Sequence, residues 1–291
     1  MVPMKKWIVL ACLFIAAGYV YSLKRSLPFL SFDSSMVKAN PGFCVIYESD
    51  WAKQWKIVKT LYETHLCAKP SKEPRIPKVI HQIWIGGKLP EKYLPLQKSW
   101  KEHHPDWEYR LWTDDDLASF PFSNRERFEK AVNIGERADI LRYEILNLYG
   151  GVYVDTDFEC VRPLDPLNHL CDLYVGIFGA YAEAQEVNMG NGLIGAIPNH
   201  PIIRYCLERI SEKSPGKTPD EVQDVSGPGC LRRAFFKCYR KGSLRNVACP
   251  CTFFYPLPSH ERCGHLDDWN RAKWVEPETF GIHYWDVSWA K

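Results

Sequence analysis

No Asn-x-Ser/Thr sequon occurs anywhere in the 291 residues, which weighs against a long-lived secretory glycoprotein. Net charge is also nearly absent, at +2, so no global field recruits nucleic acid. No internal repeat is found, which sets aside a repeat architecture. The late cysteines offer "CPC" at 249–251 rather than the two-residue-spaced pair of most zinc sites. What the chain has in plenty is aromatic: 11 Trp and 15 Tyr. Such a composition suits stacking on sugars or bases, and equally a well-filled core. The length fits one large domain or two small ones.

The N-terminus carries "KKWIVLACLFIAAGYVYSLKR". Its apolar run, Trp7 to Leu23, is at the short end for a membrane span and long for a signal-peptide core. No clean small-x-small cleavage site follows it, so the expectation is an uncleaved signal anchor over residues 1–25, with a cleaved signal as the alternative. That makes the protein single-pass, Golgi-type and lumenal in a eukaryote or at the cell membrane in a bacterium. Basic residues flank both sides about equally, so orientation is weakly specified. There are 11 cysteines. Cys12 lies in the apolar run, and Cys230, Cys238, Cys249, Cys251 and Cys263 cluster late, near His260 and His265. Disulfides in an oxidising lumen are the expectation, with unpaired core thiols as the remaining reading.

Residues 26–75, with "SLPFLSFDSS" and "KPSKEPRIP", read as a membrane-proximal stem containing one helix over 48–67. The catalytic unit is expected over 76–291. There "KVIHQIWIGG" and "WEYRLWT" read as strands, "LPLQKSWKEHHPDW" as a helix stopped by Pro105, and "DDDLASF" as an acidic helix start. "GERADILRYEILNLYGG" is helical, with Ala138, Leu141, Ile145 and Leu148 as its apolar stripe and Gly150-Gly151 as its stop. Strands alternating with helices predict an α/β sheet.

"YGGVYVDTDFECV" follows. Its alternation places Asp155, Asp157 and Glu159 on one strand face, where like charges repel by roughly 1 kcal/mol per pair at 4 Å in water. A divalent cation, Mn²⁺ or Mg²⁺, removes that repulsion, and it takes its other ligands from water and substrate phosphates. An EF-hand is excluded: counting from Asp155, positions six and twelve are Cys160 and Pro166, where Gly and Glu are needed. A solvated acidic edge is the plainer reading of the carboxylates alone.

The wider block "ERADILRYEILNLYGGVYVDTDFE" resembles the Asp-x-Asp signature of glycosyltransferase family 32. "IPKVIHQIWIGG", "WEYRLWTDDD", "NGLIGAIPNHP", "SGPGCL" and "HYWDVSW" resemble further blocks of that family, in order over residues 76–289. The resemblance implies a GT-A fold, a Rossmann-like nucleotide-binding sheet with helices on both faces. It implies a retaining hexosyltransferase that moves mannose, galactose or glucose from a nucleotide-diphosphate sugar to a glycan or glycolipid.

It also implies roles. Trp84 would stack on the donor base; otherwise it is a core Trp. Asp139 and Arg142, one helical turn apart, would hold sugar hydroxyls and phosphate; otherwise they are a surface ion pair. Tyr153 would line the donor pocket, Asp155 would bind ribose or a metal-bound water, and Asp157 would ligate the metal. Asn191 would contact the sugar, unless it serves turn chemistry in "MGNG". His283 would be a third metal ligand or a core residue, while Ser288 and Trp289 would cover the diphosphate. Whether His283 or Ser288 contacts the metal stays open. The cation, Arg142 and a terminal-loop donor would stabilise the leaving diphosphate. No side chain stands out as a covalent nucleophile. Two other readings compete. A two-metal phosphoester hydrolase needs more ligands than His81, His103 and His104 supply at their spacing. A non-catalytic carbohydrate-binding protein would not need Asp139, Arg142, Asp155 and Asp157 together.

Overall fold

The computed structural model describes residues 29–39, 51–179, 186–261 and 273–286. The expected anchor, together with Cys12, Cys263, His265, Ser288 and Trp289, lies outside them. No helix among the described residues is long and apolar enough to cross a membrane.

The strands are β1 (Val79–Ile83), β2 (Glu108–Trp112), β3 (Gly151–Val154), β4 (Phe158–Cys160), β5 (Leu173–Ile177), β6 (Met189–Ala196), β7 (Asn246–Cys249) and β8 (Gly281–His283). The helices are α1 (Phe32–Ala39), α2 (Ala52–Leu66), α3 (Leu94–His103), α4 (Asp114–Leu117), α5 (Arg125–Lys130), α6 (Ile134–Tyr149), α7 (Asp165–Leu170), α8 (Pro201–Glu212), α9 (Pro219–Val225), α10 (Pro228–Cys238) and α11 (Cys251–Phe254). Six strands form one sheet in the order β2-β1-β3-β6-β5-β7, and β4 pairs with β8 in a second, two-stranded sheet. The large sheet is mixed: β6 runs antiparallel to both β3 and β5, while β1, β2 and β3 pair in parallel. Every residue of β1, β3, β5 and β6 is buried, which is why these stretches read as near-continuous apolar runs.

The stretch expected to be a stem packs into the same folded unit as the sheet, which begins at Ser31. Its helix α2 buries Trp55, Val58, Tyr62 and Leu66, spaced at three and four residues as one helical face requires. The Tyr62 ring meets Phe253 at 5.9 Å and Phe32 of α1 at 5.6 Å, both edge to face.

Two local expectations change. In α6, Leu141 and Ile145 are buried but Leu148 is 45% exposed, because the helix leaves the core in its last turn. The acidic run is not one strand. β3 ends at Val154, the Asp155 N–H bonds Gly192 O at 2.7 Å, and a turn closed by Phe158 N–H to Asp155 O at 3.2 Å leads into β4. Asp155 and Asp157 therefore sit on a turn at the carboxyl end of β3, and Glu159 belongs to the other sheet. The cysteines at 67, 171, 206, 230, 238 and 249 are free thiols, all but Cys67 buried, so for these the core-thiol reading holds.

Two buried histidines support the sheet as neutral rings. His81 on β1 accepts from the Trp112 indole at 3.2 Å and donates to Gly150 O at 3.0 Å. His200 caps α8, accepting from Ile202 N–H at 3.2 Å and bonding Asn246 Oδ1 at 2.9 Å. Burial pushes both down from 6.5 to about 4. Between those values the unfolded chain binds more protons than the folded one, so stability falls as pH drops from 6.5 towards 4, by on the order of 3 kcal/mol per ring. Urea midpoints should therefore decline steeply across that window, and His200→Gln should flatten part of the decline. A pH-independent midpoint would refute this account.

Candidate active site

The site lies where the chain reverses direction across the sheet. β1 feeds β2 on one side, and β3 then pairs on the other, so the carboxyl ends of β1 and β3 border a crevice of the kind in which open α/β sheets bind ligands. The turn between α6 and β3 sets what meets there. Gly150 and Gly151 take φ of 65° and 90°, and a Cβ on Gly151 would lie 2.4 Å from Val79 Cγ1. The tight reversal lays the first half of α6 against the end of β3. From Gly150, Arg142 is about 12 Å back along the helix and Tyr153 about 10 Å forward along the strand. They do meet: the guanidinium lies 4.4 Å from the Tyr153 ring centroid.

Around this junction is a cavity of about 850 Å³. Trp84, Asp139, Arg142, Tyr153, Asp155, Asp157, Asn191 and His283 all line it. His81, His103 and His104 do not, and the rings of His103 and His104 bond the backbone within α3 at 2.9 Å each. Trp84 stands at the end of β1, its ring 5.2 Å from Tyr93.

Arg142 organises the floor. Nη1 donates to Asn191 O at 2.5 Å, and Nη2 lies 3.1 Å from Asp139 Oδ1 and 3.4 Å from Asp155 Oδ1. Burial opposes its charge, but Tyr153, Asp155 and Asp139 outweigh burial and hold it protonated. Asp139 accepts from Asn191 Nδ2 and Ser226 Oγ, each at 2.8 Å. Burial pushes its carboxyl up to about 6, against the pull of Arg142 and those two donors. Asp155 takes the Tyr153 hydroxyl at 2.6 Å and is likewise raised, by burial first. A Cβ on Gly192 would lie 2.6 Å from Asp155 Oδ2, so only glycine leaves that carboxylate its place.

On the opposite rim, Asp157 Oδ2 faces His283 Nε2 at 3.1 Å and accepts Asp286 N–H at 2.8 Å. β4 and β8 bring these together, with Phe158 opposite His283 in register and their rings stacked at 4.6 Å. Burial works against a charged His283, yet Asp157 and Asp155 outweigh it and its pKa is raised. Ligand atoms of Asp155, Asp157 and His283 lie within 4.8 Å of one another. Two carboxylates suit Mn²⁺ or Mg²⁺, and the imidazole is a softer donor than Mg²⁺ prefers, which favours Mn²⁺. Among the described residues His283 Nδ1 has no hydrogen-bond partner, so none of them fixes the ring's tautomer from that side against metal binding.

Sequence reasoning passed over Lys92, Tyr93, Tyr255, Trp285 and Asp286, which also line the cavity. Asp286 accepts from Tyr93 Oη at 2.7 Å and pairs with Lys92, while Trp285, at φ 58°, donates its indole N–H to Leu257 O at 2.7 Å. Both lie in "HYWDVSW", so that block carried the signal. Tyr255 follows the short helix α11 and had none.

Metal binding checks the geometry. The unaltered protein should bind Mn²⁺ in a titration followed by electron paramagnetic resonance. Asp157→Asn and His283→Ala should each weaken it by about tenfold or more. Glu159→Gln should change it by less than about twofold, because Glu159 instead accepts from Tyr284 Oη at 2.6 Å. Equal losses from Glu159→Gln and Asp157→Asn would mean the cation site is misplaced.

Residues 90–172 match the family model described as "Glycosyltransferase sugar-binding region containing DXD motif". The chain is 35% identical over 174 residues to inositol phosphoceramide mannosyltransferase 3 of Schizosaccharomyces pombe, covering 58% of this chain and 45% of that protein. It is 34% identical over 148 residues to mannosyl phosphorylinositol ceramide synthase SUR1 of Saccharomyces cerevisiae, covering 48% and 36%. The chain thus spans less than half the length of these relatives. Among solved structures, the PaToxG glycosyltransferase aligns over 64% of this chain and 76% of that one, at 21% identity and a TM-score of 0.45, a likeness too loose to argue from. Residues 90–172, with Asp155-Thr156-Asp157 as their two-aspartate motif, are thus similar to the DXD-containing sugar-binding region of glycosyltransferases.

Proposed function

We propose that this chain is a metal-dependent, retaining hexosyltransferase of the GT-A type, acting from a nucleotide-diphosphate sugar on a glycolipid or glycan. The observation that carries the reading is the convergence, in one cavity, of a cation-binding trio with a buried Asp139–Arg142–Asn191 cluster. Hydrolysis and simple sugar binding have no comparable support, since no second metal cluster of His, Cys, Asp and Glu occurs among the described residues. Two relatives are named mannosyltransferase or mannosyl synthase acting on an inositol-containing ceramide, which puts mannose first among mannose, galactose and glucose and a lipid acceptor before a soluble glycan.

The roles follow from position. Trp84, at the mouth, takes the donor base on its ring face. Arg142 sits between the two aspartates and supplies fixed positive charge towards the diphosphate. Asp139 and Asn191 accept and donate to sugar hydroxyls. Asp155, Asp157 and His283 would hold the cation, which when bound neutralises charge building on the departing diphosphate. With retention, the acceptor hydroxyl approaches from the face the diphosphate leaves. The apolar run at residues 7–23 would keep the enzyme beside a membrane-borne acceptor; if full-length protein stays in the aqueous phase after Triton X-114 partition, that anchor is refuted.

The reaction is tested with labelled GDP-mannose, UDP-galactose and UDP-glucose in Mn²⁺, scoring thermal shift and transfer to extracted glycolipid. One donor should stabilise the protein and be consumed only with metal present. Trp84→Ala should weaken its binding by roughly 1–3 kcal/mol, as loss of base–aromatic stacking does elsewhere. Failure of every donor to bind would sink the proposal.

A further inference from the structure

Ser226 is wholly buried and outside the cavity lining, one residue beyond the end of α9. Its neighbours leave it little freedom. The N–H groups of both Ser226 and Gly227 bond Val222 O, at 3.0 and 3.1 Å. A Cβ on Gly227 would lie 2.8 Å from Gln223 Cα, so the turn into α10 admits only glycine there. The hydroxyl held by this turn has two acceptors in reach, Asp139 Oδ2 at 2.8 Å and Val222 O at 3.2 Å. It has one proton, and the shorter bond to a charged oxygen is the stronger.

The acceptor positions on Asp139 can then be counted. An ionised carboxylate has about four lone-pair positions, two on each oxygen. Asn191 donates to Oδ1 at 2.8 Å with the Arg142 guanidinium beside the same oxygen at 3.1 Å, and Oδ2 receives Ser226. Oδ2 therefore keeps a single open position, on a residue that is only 6% exposed yet borders the cavity. We infer that Ser226 is a specificity-determining positioning residue: by occupying one side of Oδ2 from behind, it leaves that oxygen able to accept one hydroxyl, in one direction, from the donor sugar. Without it the carboxylate keeps its charge partners but loses the bond that orients Oδ2, and the sugar is held less firmly and less selectively. This rests on the reading of the cavity as a nucleotide-sugar site.

The test separates the sugar from the nucleotide. Binding in Mn²⁺ is measured for whichever of GDP-mannose, UDP-galactose or UDP-glucose the unaltered protein takes, and for the matching GDP or UDP. Ser226→Ala should weaken the nucleotide sugar about tenfold, as loss of a hydrogen bond to a charged group does, and leave the nucleoside diphosphate within about twofold. It should also narrow the preference among the three sugars, and Ser226→Thr, which keeps the hydroxyl, should restore both. If Ser226→Ala does not fold, Ser226→Cys, with its weak thiol donor, is measured in its place and should lose sugar affinity in the same direction. Equal weakening of sugar and diphosphate, or no weakening of either, overturns the inference. Failure of the unaltered protein to bind any of the sugars would instead overturn the nucleotide-sugar reading itself.

Discussion

One buried cation, the guanidinium of Arg142, is the constraint around which the rest is arranged. It ties α6 to the end of β3 through Asp155, to its own helix through Asp139, and to β6 through the Asn191 carbonyl. A charge taken so far out of water is tolerated only when its partners are all in place, and removing one partner of a buried pair typically costs about 3–5 kcal/mol. The cluster is thus self-policing: the arrangement that can bind a charged ligand is also the arrangement that lets this part of the core fold. The cost shows on the acidic side, where burial raises the Asp139 carboxyl to about 6 against the pull of Arg142.

A second layer of polar contacts keeps the first from drifting. Gln82 donates to Asp155 O at 3.1 Å and itself receives the Tyr109 hydroxyl, so β2, separated from β3 by β1, still bears on the motif turn. On the other rim the link runs through the segment after β8. Asp286 joins the Asp157 carboxylate, through its own N–H, to Tyr93, whose ring lies beside Trp84. The residues proposed to hold a metal and the residue proposed to meet a base are therefore parts of one mechanical frame.

Much of this is legible in the sequence, and the reasons differ by element. The helix over 134–149 and its glycine stop were plain, because a long periodic segment ended by Gly150-Gly151 has few alternatives. The buried strands were recognisable as apolar runs. The motif turn was misread as a continuous strand because Asp155-Thr156-Asp157-Phe158-Glu159 alternates polar and apolar residues while the backbone reverses; period two reports composition, and the turn is dictated by which strands lie alongside. Residues 26–75 read as a stem because their proline and serine content hides the amphipathic face of α2, whose partner, Phe253, is distant in sequence. His283 is brought to Asp157 only by the β4–β8 pairing, a long-range contact that no local pattern announces, and Ser226 lies behind the cavity, where spacing says nothing.

The paired glycines at 150 and 151 carry a consequence for how such a site can change over time. An extra residue in α6 between Arg142 and the turn would rotate Asp139 and Arg142 by about 100° away from the sheet. An extra residue in β3 would send Tyr153 and Asp155 to its opposite face. The stretch from Asp139 to Asp157 is therefore fixed in length as well as in lettering, a single cassette in which an insertion or a deletion would pull the cluster apart. Length can vary only elsewhere on the rim, so that any change in what the cavity accepts has to come from redrawing its border around a core whose spacing cannot move.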